Sequence, residues 1–357
     1  MIASHVMYVV SFLLFGFAET LPLLFLAMFL FGVGEAFRTG THKAMIFDWL
    51  ARQNRGDEKT RVYGLTRSWS KIGSAVSVLL AAGFLIGTQR YAVVFWFSAI
   101  AAGLNIVNFL TYPRELDGRD DSSEARAGFF ARTARVMKTL GEGLAGSWRT
   151  RSLRRLVLES MSFEGLYKGS SDYLQPVLKN AALMLPLFLS FSDLARTAML
   201  VAIVYAVLYL LSSVASRHAA ALVDWFRDEV KASRGIWIGY AVAFGGITIG
   251  VLLTRTWLTI VGFVLMAILQ NFWRPIIVGR IGSESEPRTM ATVLSVESQA
   301  KSFFAALAAP LLGVMIDRMG ENLEFLPVGI FGLVVCGLFL VRYALGYPGE
   351  QKATTPS

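Results

Sequence analysis

Charge is what this sequence has least of. Only 17% of its 357 residues are Asp, Glu, Lys or Arg, and 55% are hydrophobic. Soluble domains carry about a quarter charged residues, so the composition is membrane-like before any window is drawn. Cysteine is nearly absent too: the single Cys336 lies inside an apolar run, which excludes a disulfide framework and a thiolate metal site. The three histidines, His5, His42 and His218, are too far apart to share a ligand spacing. No GK[ST] phosphate loop, HExxH or GxSxG occurs. The string GVGEAF (32–37) lacks the third glycine of a dinucleotide loop and lies in an apolar span. No cofactor is expected, nor an enzyme; an ATP-driven pump would need a phosphate site that these residues do not supply.

What is present is a set of long apolar stretches. A membrane-crossing helix needs roughly 20 mostly apolar residues. Ten stretches meet this: 2–18, 21–48, 67–87, 91–112, 156–178, 196–216, 235–254, 256–279, 290–316 and 325–345. The fifth is the least apolar, and 183–189 (LMLPLFL) is too short to span. The opening residues, MIASHVMYVVSFLLFGFAE, lack a basic leader and an A-x-A site, so they read as a membrane helix, not a signal peptide.

The net charge of +9 could suggest nucleic acid, but the bases lie between apolar runs and not on one soluble face. Their placement instead sets orientation. The intervals 50–67, 113–155, 217–234 and 274–288, with Arg342 and the tail, hold 24 Lys and Arg; the alternate loops hold only Arg90, Lys179, Arg196, Arg255 and Arg318. Both termini are therefore expected in the cytoplasm. The longest polar interval, 113–155, divides four helices (1–112) from six (156–345), with a cytoplasmic tail at 346–357. Within it, 129–155 alternates apolar and basic residues and could lie on the inner membrane surface.

Two stretches resemble each other. GEAFRTG (34–40) reads against QNFWRPI (270–276), and RVYGLTRSWSKIGSAVSVLLAAGFL (61–85) against RTMATVLSVESQAKSFFAALAAPLL (288–312), aligning Ser68 with Ser295 and Gly83 with Pro310. Each copy is two helices joined by a basic inner loop, the arrangement of a parallel repeat. The repeat pairs the first four helices with the last four and leaves the fifth and sixth without partners, so two N-terminal helices of a 6+6 plan are expected to be missing.

These residues carry a family resemblance. GVGEAFRTGTHKAMIFDWL resembles the fourth helix of major facilitator superfamily transporters, and RTMATVLSVESQAKSFFAALAAPLLGVMIDRMG resembles their eleventh. The resemblance implies an all-α membrane protein, a 4+6 form of the six-plus-six fold, whose central cavity opens alternately to either side. It also implies that Asp48 belongs to an inner latch. The second-half loop ASRHAAALVDWFRDE (215–229) is at best a degenerate copy of the family's latch loop.

Charges within spans mark candidate site residues, since one at mid-bilayer costs about 2.5–3.5 kcal/mol even on insertion scales. Glu164, Lys168 and Asp172 fall at i, i+4 and i+8, on one helical face with Tyr167 nearby. They line either a cavity or a self-neutralised packing stripe in which Glu164 pairs with Lys168. Glu35 and Arg38 form either an intrahelical pair or a cavity-facing one. His42 and Lys43 are expected at water or lipid headgroups. Glu297 and Lys301 repeat the i, i+4 spacing where the first copy has Ser70 and Ser74. Arg274 precedes Pro275, which bends the helix; Gln270 and Asn271 either satisfy the freed backbone groups or, with Arg274, contact the solute. Asn105 and Asn108 are expected to bond between helices. The expected function is secondary transport of a small solute, coupled to protons through Glu35, Glu164, Asp172 or Glu297, by a monomer in a bacterial inner membrane. The competing reading is a scaffold or sensor that keeps the fold, with 129–155 as its docking surface.

Overall fold

A computed structural model describes residues 1–38, 41–113, 150–184, 193–286, 289–320 and 323–344. Every regular element among them is a helix. The first five are α1 (Ile2–Phe17), α2 (Leu21–Arg38), α3 (Thr41–Arg52), α4 (Lys59–Thr88) and α5 (Ala92–Leu110). After the interval to residue 150 come α6 (Arg151–Ser170), α7 (Leu174–Met184), α8 (Asp193–Arg217), α9 (Ala219–Phe226), α10 (Glu229–Leu252), α11 (Thr256–Glu284), α12 (Met290–Asp317) and α13 (Leu326–Ala344). Among the described residues eight helical runs are long and apolar enough to cross a membrane, as a multi-pass membrane protein requires. Of the other two expected spans, α1 is apolar but 16 residues long. The other, α6, carries Glu159, Glu164 and Lys168 along its length.

The differences from expectation are local. The stretch 21–48 is described as two helices on either side of residues 39–40, and the second runs on to Arg52. The third span starts eight residues earlier than its apolar run, at Lys59. Between α6 and α7 a 3-10 turn covers Ser171–Tyr173 and interrupts the α-helical spacing before Asp172. Most of 113–155, the end of the 183–189 string and the tail lie outside the described residues.

Two groups of helices differ in how they are held. Helices α1, α2 and α5 pack on one another, with few fully buried side chains. The C-terminal group has an aromatic centre: Phe163 stacks on Trp273 at 4.3 Å and on Tyr240 at 4.0 Å, and Trp237 stacks on Phe339 at 4.6 Å. Helix α4 links the groups by lying along α8. Gly64 permits this, because a Cβ there would collide with the Ser216 carbonyl, and close approach at small residues is how helices associate in a bilayer. Ser68 and Ser213 hydroxyls meet across the same seam at 2.8 Å.

At the basic-loop end the contact is closed. Lys59 Nζ donates to the Gly282 carbonyl at 2.9 Å, and a Cβ on Gly282 would meet the Phe47 ring at 2.5 Å. Pro275 inside α11 lacks the N–H that would pair with the Asn271 carbonyl four residues back. The Ser216 hydroxyl of α8 supplies that donor at 3.1 Å. The Asn271 amide turns instead to the Ala267 carbonyl of its own helix. Asn105 likewise bonds within its helix, to Ala101, and not between helices.

Candidate functional site

Three helices each bring polar groups to one place through i, i+4 spacing: Ser160 and Glu164 on α6, Gln270 and Arg274 on α11, Glu297 and Lys301 on α12. Arg274 donates to both oxygens of Glu297, Nη1 to Oε1 at 2.5 Å and Nη2 to Oε2 at 2.9 Å. Their side chains are 2% and 0% exposed. The Ser160 hydroxyl adds a third bond to Glu297 at 2.6 Å. Glu164 accepts from the Gln270 amide at 3.1 Å on both oxygens. Arg274 stands 3.9 Å from it, and Lys301 4.0 Å.

The N-terminal helices reach into the same cluster. Lys43 Nζ on α3 stands 3.8 Å from Glu297 Oε2 with its side chain 12% exposed. This corrects the expectation that Lys43 meets water or headgroups: α3 packs on α12 and turns it inward. Arg67 on α4 donates through Nη2 to Asn271 Oδ1 at 2.9 Å. A bidentate arginine–carboxylate pair is among the stronger charge-assisted contacts. Burial still strips its water, and the hydrogen bond from Ser160 and the nearby charge of Lys43 offset that cost.

Beside the cluster lies a cavity of about 170 Å³ lined by Lys71, Tyr167, Asp172, Tyr205, Tyr209 and Phe263, among others. Lys71 Nζ sits 5.2 Å from the centre of the Tyr209 ring. The hollow is thus lined by both charged and aromatic side chains.

The family model for the Major Facilitator Superfamily matches residues 1–298. The chain belongs to that superfamily. No curated protein matches the sequence. Solved structures of similar fold include a POT family transporter in complex with a thioalcohol-conjugated peptide, at 15% identity and TM-score 0.60, covering 96% of this chain and 81% of that one. The same shares and identity hold, with TM-score 0.59, for a POT family transporter bound to 5-aminolevulinic acid. The human organic anion transporter MFSD10 (TETRAN) matches at 15% identity and TM-score 0.53, covering 96% and 75%. As a member of this superfamily with this fold, the chain is a membrane transport protein for a solute.

Within this superfamily member, the remaining expected site residues fall into separate places. Lys168 donates to the Ser302 hydroxyl at 3.2 Å, so of the two alternatives the self-neutralised stripe with a Glu164–Lys168 pair is not the one formed; Glu164 takes its partners from α11 and α12. Asp172 and Tyr167 line the cavity. Glu35 and Arg38 stay on α2, paired at 2.9 Å, and the Tyr8 hydroxyl of α1 donates to Glu35 at 2.6 Å while accepting from Arg38 at 3.0 Å. Asp48 accepts from Arg52 at 2.9 Å within α3.

A third buried carboxylate escaped the sequence reading. Glu159 Oε1 accepts from the Tyr343 hydroxyl and, at 3.3 Å, from Trp237 Nε1; Arg280 stands 3.9 Å from Oε2. Its signal was available, a carboxylate five residues before Glu164 in the same span. Arg67, Lys71, Lys43 and Ser160 were missed for another reason. Each looks like a loop or filler residue until another helix is placed against it.

Proposed function

We propose that the chain carries a small solute across the membrane by alternating access, coupled to protons, with the ionic cluster and its adjoining cavity as the pathway. One observation supports this most: Lys43 and Arg67 of the N-terminal helices and Glu164, Asn271, Arg274, Glu297 and Lys301 of the C-terminal helices share one buried network. Buried ions in a bilayer are costly, and a network assembled from two groups of helices is one that their relative motion can open to water. The moving bodies are 1–112 and 156–345, joined through 113–155, with 346–357 as a tail. Both termini face the cytoplasm of a bacterial inner membrane, so the closed basic-loop end is the inner gate. Asp48 with Arg52 belongs to that gate. The chain works as a monomer.

Glu164 and Asp172 are the proton sites in this reading. Glu297 is held by four donors or cations and stays ionised. Glu164 has only an amide within hydrogen-bond distance and its cations near 4 Å, and Asp172 borders the cavity. The test needs no known substrate. Spin labels at Arg55→Cys and Glu284→Cys, on a Cys336→Ala background in lipid nanodiscs, report the width of the inner gate. Two distance populations whose ratio changes between pH 8 and pH 5 are expected, with that change lost in Glu164→Gln combined with Asp172→Asn. One distance at every pH refutes alternation; two whose ratio ignores pH refute the proton assignment.

A further inference from the structure

We propose that the pathway takes an organic anion, its carboxylate held between Arg67 and Lys71 of α4 and Lys301 of α12. This rests on the carrier reading above and names the substrate class of the same site. Around Glu164 and Glu297 stand four cations, Lys43, Arg67, Arg274 and Lys301. Adding Lys71 and Asp172 from the adjoining cavity raises both sides by one, so the surplus of two positive charges persists. In a medium of low dielectric such a surplus is unfavourable, and an anion relieves it.

The surplus can be assigned to particular side chains. Arg274 is engaged by Glu297, and Lys43 leans on the same carboxylate. Arg67 has no carboxylate within ion-pair distance among the described residues; its Nη2 bonds a neutral amide, and its buried Nε has no hydrogen-bond partner there. Among the described residues Lys71 has no carboxylate within ion-pair distance and lies over the face of Tyr209. Lys301 is 4.0 Å from Glu164, too far to donate to it. Arg67 and Lys71 are at i, i+4 on α4, so both point to one side, and Arg67 stands within electrostatic range of both lysines.

The cavity's aromatic lining decides what kind of anion fits. Tyr167, Tyr205, Tyr209 and Phe263 offer ring surface and phenolic hydroxyls, suited to a carbon skeleton and not to a bare inorganic ion. Asp172 faces the same space and accepts from a hydroxyl or ammonium group on the solute.

The experiment uses the full chain purified in detergent, with thermal unfolding followed at fixed ionic strength against succinate and citrate, and against glucose and choline as neutral and cationic controls. The carboxylates are expected to raise the midpoint, citrate more than succinate, and the controls not. Loss of one charge-assisted contact in Arg67→Gln or Lys71→Gln weakens the apparent carboxylate affinity about tenfold or more. Lys71→Arg keeps most of it, and Lys231→Gln, on the exposed start of α10, leaves it unchanged. The proposal is overturned if no carboxylate acts, if glucose or choline acts equally, or if both Gln variants retain the full carboxylate effect. Glucose or choline shifting the label distances would leave the carrier standing and remove the anion. A static gate with intact carboxylate binding would do the reverse.

Discussion

Glu35–Arg38 and Glu297–Arg274 are the same chemical pair in two settings. The first lies within one helix at i, i+3, and its side chains remain 42% and 45% uncovered by protein. The second joins α11 to α12 and is closed off entirely, at 0% and 2%. A pair within one helix needs nothing from the fold, so spacing alone foretells it. A pair between helices exists only if the whole bundle assembles, and its burial makes each partner depend on the other. The difference separates a local brace from a group whose state reports the arrangement of the molecule.

Breaking the buried pair should have the largest effect. Glu297→Gln leaves the Arg274 guanidinium without its close anion, and removing one member of a buried pair costs about 3–5 kcal/mol. The expected outcome is a large fall in the thermal unfolding midpoint in detergent. Glu297→Gln combined with Arg274→Gln removes both charges and should recover much of that loss, since a neutral replacement avoids the stranded ion. A double variant no more stable than the single one would mean that the two residues are not coupled.

This contrast also explains what could be read in the chain. The long apolar runs, the i, i+4 carboxylates of α6 and α12 and the Glu35–Arg38 pair are properties of sequence neighbours, and the all-helical plan follows from them. That Glu164 and Glu297 meet around Arg274 depends on how three helices are arranged. The i, i+4, i+8 spacing of Glu164, Lys168 and Asp172 assumes one uninterrupted α-helix, whereas a 3-10 turn covers Ser171–Tyr173, wound more tightly than that spacing supposes. Lys43 and Arg67 looked like ordinary basic residues near a membrane surface. Only the packing of α3 on α12 and of α4 on α8 and α11 turns them inward.

The buried pair can be probed without touching a charge. Lys43 reaches Glu297 while α3 is packed at the basic-loop end, where Gly282 lies against the Phe47 ring. Gly282→Val forces its new side chain into that ring, and overpacking of this kind costs about 1–3 kcal/mol. The cost falls on the closed gate, so the label distance across it should shift toward separation, by about fivefold to a hundredfold in population ratio at these energies. Gly83→Ala on α4, with open space around its would-be Cβ, should leave the ratio unchanged.

The smallest effect belongs to the local brace. Glu35→Gln removes a carboxylate whose arginine keeps the Tyr8 hydroxyl as an acceptor, and nearly half of each paired side chain is uncovered. Pairs so exposed contribute roughly 0–1 kcal/mol, so the unfolding midpoint should move by a fraction of the Glu297→Gln shift. The same measurement can invert the comparison. A loss as large as that of the buried pair would mean that something covers α2 in the membrane and dries Glu35 as thoroughly as α6 and α12 dry Glu297. The pair would then be a second closed ionic site, and Tyr8→Phe, which removes the hydroxyl shared by both charges, should become nearly as damaging as Glu35→Gln.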